Sequence, residues 1–314
     1  DKCHKNNLIN CRKWHNRCNQ LWEGSDILAT VTKPLALDET AQSIKNKVNL
    51  IINTLAPPPD LVSWSDGTDE QIAALLTAAD AGTIDLVEDA GWAIGDERIV
   101  TLSAMSSSGT YDDVTWSVGE SHVEQQATLV LMDTDHYDLV DGGKSKFVIG
   151  MKDFLVNASG VREGGYMNSS NTNSGSWNGC ARRNWCNGAF RQAIPDYLRP
   201  FFKKFKVITA ATYNGSSNQE TQDYFALPAE KEIFGSRTYS NETEANALTQ
   251  LEWYKTAANR IKKTGILGSG SGSTWWGRSP YSSSSYSFCR VAGDGAANFN
   301  VATGGLGLSP FGCI

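Results

Sequence analysis

Trp275-Trp276-Gly277-Arg278-Ser279-Pro280 opens, and Gly307-Leu308-Ser309-Pro310-Phe311-Gly312-Cys313-Ile314 closes, a stretch unlike the rest of the chain. Between these two apolar anchors the sequence is rich in Ser, Gly and Asn. Tyr281, Tyr286, Phe288, Val291, Phe299 and Leu306 recur through it. A polar run such as 282–285 would read as disorder by itself. With apolar residues fixing both ends, the segment reads as loops pinned to a scaffold. Residues 278–314 contain no Lys, Glu, Gln, Trp or Met, types that supply 53 of the 314 residues, so about six are expected in these 37 positions. Those five are the amino acids that no codon ending in a pyrimidine encodes. An Asn codon altered at its two adenines therefore never reaches them.

Upstream of the anchor, the Gly/Ser-rich stretch 268–274 reads as linker-like, and 250–263 as a last helix closed by Gly265. Residues 206–211 and 224–227 are short strand candidates, and 182–198 carries a helical pattern ended near Pro195 and Pro200. Residues 98–105, 127–132 and 147–154 read as buried strands. A helix over 69–81 is predicted, with Thr68 or Asp69 as its N-cap. A compact domain therefore spans 61–314.

Residues 1–60 read differently. His4, Leu8, Cys11, His15, Cys18 and Trp22 alternate in steps of four and three, as do Ile44, Val48, Ile51 and Leu55. That is a heptad seam, and it stops at Pro57-Pro58-Pro59. Two readings stand: a helical stalk that associates with copies of itself, as a trimer, or two amphipathic helices packed on the main domain.

Composition bounds the function. The chain is 40% hydrophobic and 20% charged, with net charge -6, as suits an ordered globular protein. No Lys/Arg block points to nucleic acid or an anionic membrane. Lys203-Lys204-Phe205-Lys206 reads as a solvated edge beside buried aromatics. No apolar run reaches the ~20 residues of a membrane span. The opening Asp1-Lys2-Cys3-His4 does not resemble a signal peptide, so action outside a cell would need another route of export.

Seven cysteines leave at least one unpaired, and buried free thiols are the default. Cys11, His15 and Cys18 fall on one helical face, with Cys3 or His4 near a fourth position. Zinc is the candidate ion, although the spacing matches no C-x2-C pattern. The same seam in a trimer packs thiols and imidazoles at the axis instead. Cys180 and Cys186 form a local disulfide or flank a loop. No His lies beside them in sequence to activate a nucleophile. His122 and His136 are isolated and read as surface or capping residues. Glu120, Glu124 and Asp133 are too scattered to make an acid/base pair. No nucleophile elbow, P-loop or dinucleotide fingerprint is present.

The string Trp275-Trp276-x-Arg278-Ser279-Pro280, then Phe288-Cys289-x-Val291-x-x-Asp294-Gly295, then the closing octapeptide, resembles the variable region of diversity-generating retroelement target proteins. These are carried by phages and prophages of gut Firmicutes. Trp64-Ser65-Asp66-Gly67-Thr68, Gly95-Asp96-Glu97-Arg98, Leu227-Pro228-Ala229-Glu230-Lys231-Glu232 and Asn259-Arg260-Ile261-Lys262-Lys263 extend the resemblance over about 61–314.

The resemblance implies an α+β, C-type lectin-like fold, the architecture shared with formylglycine-generating enzymes, with a variable region at about 275–314. Adenine-directed errors would rewrite Tyr281, Ser283, Ser284, Tyr286, Ser287, Arg290, Ala292, Ala296, Asn298, Phe299, Asn300, Val301, Thr303, Gly304 and Leu306. Trp275, Trp276, Phe288, Val291, Leu308 and Phe311 would fill the core, Pro280 and Gly295 would set turns, and Cys289 and Cys313 would be buried thiols or a pair. The Glu-Pro-Asn and Trp-Asn-Asp triplets of calcium-dependent sugar binding are absent, so calcium is not expected.

The expected role is a non-enzymatic receptor-binding or adhesion protein on a virion tail. It would sit beside other tail proteins and meet a host-cell surface protein or glycan. An enzyme of formylglycine-generating type and a ligand-free structural virion protein are the alternatives.

Overall fold

Residues 59–156 and 164–314 are described by a computed structural model. The expectations placed on 1–58 (helical stalk, trimer seam, and zinc at Cys11, His15 and Cys18) lie outside the described residues. Pro59–Ile314 cluster as one unit, an α+β arrangement of small sheets and mostly short helices.

Helix α1, Asp69–Asp80, begins where its cap dictates. Thr68 Oγ1 accepts the Gln71 N–H at 3.3 Å, and Gln71 Oε1 accepts the Thr68 N–H at 2.9 Å. This reciprocal box satisfies two donors that no helical carbonyl can reach. Ile72, Leu75, Leu76 and Ala79 form its buried stripe. Strands β1 (Glu97–Leu102), β4 (Gln125–Asp133) and β5 (Val148–Met151) follow the expected apolar runs. Between β1 and β4 lies a hairpin, β2 (Ser108–Tyr111) and β3 (Val114–Ser117). Helix α2, Ala181–Trp185, continues through a π-turn at Cys186–Phe190 into Arg191–Ala193 and stops at Ile194, before Pro195.

After it, β6 (Phe205–Ala210) pairs with β7 (Asn218–Asp223), and β8 (Phe225–Ala226) leads to α3 (Glu230–Phe234), α4 (Glu242–Asn246) and α5 (Glu252–Lys255). The final strands are β9 (Trp275–Pro280), β10 (Ser287–Val291), β11 (Ala297–Val301) and β12 (Phe311–Cys313). The main sheet runs β1-β4-β5-β12-β8, and a second runs β11-β10-β9. The three residues of β12 thus fill a place between strands that lie far earlier in the chain. Gly312 allows this approach, because a Cβ there would come within 2.7 Å of the Phe202 and Phe225 rings.

Several expectations are corrected. Residues 250–263 do not form one helix: α5 ends at Lys255, and a 3₁₀ turn at Ala257–Arg260 follows. Side chains take the carbonyls that a helix would use. Asn259 Nδ2 donates to Trp253 O at 2.8 Å, and Arg260 Nε and Gln250 Nε2 donate to Tyr254 O at 3.0 and 3.1 Å. The stretch 268–274 is not a loose linker, since Lys263 and Gly272 bridge and Ser273 N donates to Lys262 O at 3.0 Å.

His122 is buried, packed at 5.6 Å from the Trp185 ring, not on the surface. His136 is partly buried and bonds Asp133 at 2.8 Å. Cys180, Cys186, Cys289 and Cys313 are all free and buried, so neither disulfide forms. Cys289 lies in the three-stranded sheet and Cys313 in the five-stranded one, while the Cys180 thiol donates to Met167 O at 3.0 Å. Pro280 ends β9, paired with Phe288, and the turn follows it.

Candidate functional site

Trp275, Trp276, Phe288, Val291, Leu308 and Phe311 are at most 1% exposed and make up the floor of the site. Each Trp N–H reaches a carbonyl: Trp275 Nε1 donates to Arg260 O at 3.0 Å and Trp276 Nε1 to Gly165 O at 2.8 Å. This is the requirement for burying an indole. Lys262, wholly buried, lies 5.0 Å from the Trp275 ring and donates to Met151 O at 2.6 Å and Lys152 O at 2.9 Å. Burial pulls its ammonium down to about 7.

Arg278 is the one charge within the buried anchor, and its needs organise what surrounds it. Its Nη1 and Nη2 meet both Glu232 carboxylate oxygens at 2.5 and 2.6 Å, and Nη1 also donates to Leu227 O at 2.9 Å. A forked, desolvated pair of this kind holds only when both partners are present. Burial acts to raise the Glu232 carboxyl, but the Arg278 guanidinium overrides it and holds it below the ordinary range.

Ser279, next in the strand, accepts the Glu230 N–H at 3.0 Å and bonds Glu244. Glu244 also accepts the Ala210 N–H at 2.8 Å. Burial lifts its carboxyl to about 7. Strand β9 is thereby tied to α3, α4 and β6.

Above this floor, β10 and β11 form a hairpin whose register pairs Ser287 with Val301 and Val291 with Ala297. Its turn depends on Gly295 at φ +85, a region that L side chains rarely enter. Of the fifteen positions expected to vary, Ser283, Tyr286, Ala296, Phe299 and Thr303 are exposed. Tyr281, Arg290, Ala292, Asn298, Asn300, Val301 and Gly304 are half-buried. Ser284, Ser287 and Leu306 are buried, so their side chains face inward. Tyr286 and Phe299 are 49% and 38% exposed, unusual for aromatic residues with a large core available.

Residues outside the segment shape it. Asn173, buried, donates to Ser284 O at 2.7 Å and Ser287 O at 2.8 Å, and its N–H reaches Ser285 O at 2.9 Å. Thr303 Oγ1 donates to Asn171 Oδ1 at 2.7 Å. Tyr239 packs against Tyr281 and Phe299. Sequence reasoning missed all three, because each lies more than forty residues from its partner. One signal was available: an Arg inside an apolar anchor demands a carboxylate, and Glu230-Lys231-Glu232 was the nearest acidic group before it.

The thiols contribute no nucleophile. Burial pushes Cys289 and Cys313 well above the ordinary value and Cys180 to about 11. Among the described residues no group of three or more His, Cys, Asp and Glu is placed to hold a metal ion. None of the described helices is long and apolar enough to cross a membrane.

No curated protein and no solved structure matches the chain. One family does, over residues 146–314, from just before β5 through the whole of the display hairpin and β12. That span contains both anchors and the Arg278–Glu232 pair. By this match over more than half of its length, the chain belongs to the family described as "Domain of unknown function (DUF6273)".

Proposed function

We propose that this protein presents a diversified ligand-binding surface on a C-type lectin-like scaffold and serves as a phage receptor-binding or adhesion protein. The contrast in burial across 275–314 carries the reading. The anchor residues are sealed in the core, and the Ser-, Asn- and Tyr-rich positions between them give exposed Tyr286 and Phe299. Rigid aromatic area among small polar groups is the composition of antibody paratopes. A floor of buried hydrogen bonds keeps the ordering cost of binding low.

The buried thiols with raised pKa values support a non-enzymatic role over chemistry of the formylglycine-generating kind. On this reading the protein sits at a virion tail, as a trimer, and meets a host-cell surface protein or glycan without calcium.

The encoding gene supplies the first test. A near-copy of its 3′ segment should lie beside a reverse transcriptase gene, differing only at template adenines; mismatches spread over all four bases would overturn the reading. In protein, replacing Tyr281, Tyr286 and Phe299 together with Ala should abolish adhesion to the cognate cell. Stability should fall only by the ~1 kcal/mol expected of a lost aromatic contact. Retained adhesion would count against the face.

A further inference from the structure

The exposed face is completed by a residue forty positions before it. The Tyr239 ring stands edge-on to Tyr281 at 5.7 Å and to Phe299 at 5.3 Å, while Tyr281 and Phe299 stack at 4.2 Å. Tyr239 is half-buried, so part of its ring remains open beside exposed Phe299. Its backbone is held from three directions. Buried Glu230 accepts the N–H groups of Thr238, Tyr239 and Ser240 at 3.1, 2.9 and 2.7 Å. Tyr239 O accepts both the N–H of Ser282, at 2.9 Å, and its hydroxyl, at 2.8 Å. Ser240 bridges to Tyr281. Glu230 is fixed in turn through Ser279 in β9. The ring is thus presented by buried structure and not by the hairpin.

We propose that Tyr239 is a permanent ligand contact, an aromatic anchor common to every version of this face, and that its partner is the surface of a folded protein. The inference rests on the display reading above. Three observations favour it. A tyrosine held this firmly loses little freedom on binding, the property that makes Tyr a frequent hot spot. The ring adjoins the two largest side chains proposed to change. The exposed groups spread over two strands and their flanking loops, as broad protein contact requires.

The experiment displays the full chain with Ser283, Tyr286, Ala296, Asn298, Phe299 and Thr303 randomised and selects it separately on lysozyme and on streptavidin. Binders to each probe are remade with Tyr239→Ala, Tyr239→Phe and Tyr239→benzoylphenylalanine. Tyr239→Ala should raise Kd about tenfold or more against both probes, Tyr239→Phe should stay near the parent, and the photoreactive residue should crosslink to the bound probe. If Tyr239→Ala fails to fold, Tyr239→Leu is measured in its place. Unchanged Kd with no crosslink would overturn the anchor while leaving the display reading intact. A folded library yielding no binder to either probe would overturn both.

Discussion

Glu244 lies under Ser279 with its carboxyl lifted by burial to about 7 from the usual 4.5. The folded state therefore holds a proton that the unfolded chain has released across that interval. Its contribution is fully present below pH 4.5 and is lost as pH rises toward 7. Glu244→Gln, neutral at every pH, removes this dependence. The parent should lose ~3 kcal/mol relative to the variant between those limits, read as diverging melting temperatures in thermal scans from pH 4.5 to 7.5. His122 acts in the opposite sense. Burial, then the Arg182 charge, lowers it to about 3, so its contribution is present above pH 6.5 and fades as pH falls. Both of its ring nitrogens lack a hydrogen-bond partner. Nothing in the sequence marks these two residues, since burial of a single polar side chain leaves no periodic trace. The Trp275-Trp276 anchor was legible because large apolar residues have one destination.

Strand β9 is joined to α3 by the Arg278–Glu232 fork, with neither side chain exposed. Glu232→Ala leaves a guanidinium sealed away from water. It should destabilise the protein by about 3–5 kcal/mol, measured by urea unfolding, and loosen the hairpin above. Smaller losses would mean that water reaches Arg278. Elements with strong local signals matched expectation: α1 through its capping box, β4 and β5 through their apolar runs. Elements made by long-range partners did not. The polar β7, Asn218–Asp223, gains its place from backbone pairing with β6, which no side-chain pattern reports. The helix expected over 250–263 failed because Gln250, Asn259 and Arg260 bind its carbonyls, a competition that helical propensity ignores.

Across Pro59–Ile314 the core is continuous, joining the Trp64–Trp92–Phe147 rings to Trp275 and Phe311. All four described thiols lie inside this unit. Cys180, Cys186, Cys289 and Cys313 should resist alkylation in native buffer and become reactive together at the global unfolding transition, as peptide mass spectrometry can map. Labelling of Cys289 alone in the native state would reveal a local opening under the face. The fold class and the display segment were readable in advance, but the exposed subset of that segment was not, because Ser284, Ser287 and Leu306 share the composition of their exposed neighbours. Strand β12 has a consequence beyond packing. It is translated after the display hairpin, yet it occupies the gap between β5 and β8. A premature stop or shifted reading frame anywhere in 281–306 removes the strand that joins the two sides of the main sheet. Faulty copies then fail to fold and go to proteolysis, so the order of the segments proofreads the gene: only a face read in frame to its end is ever shown.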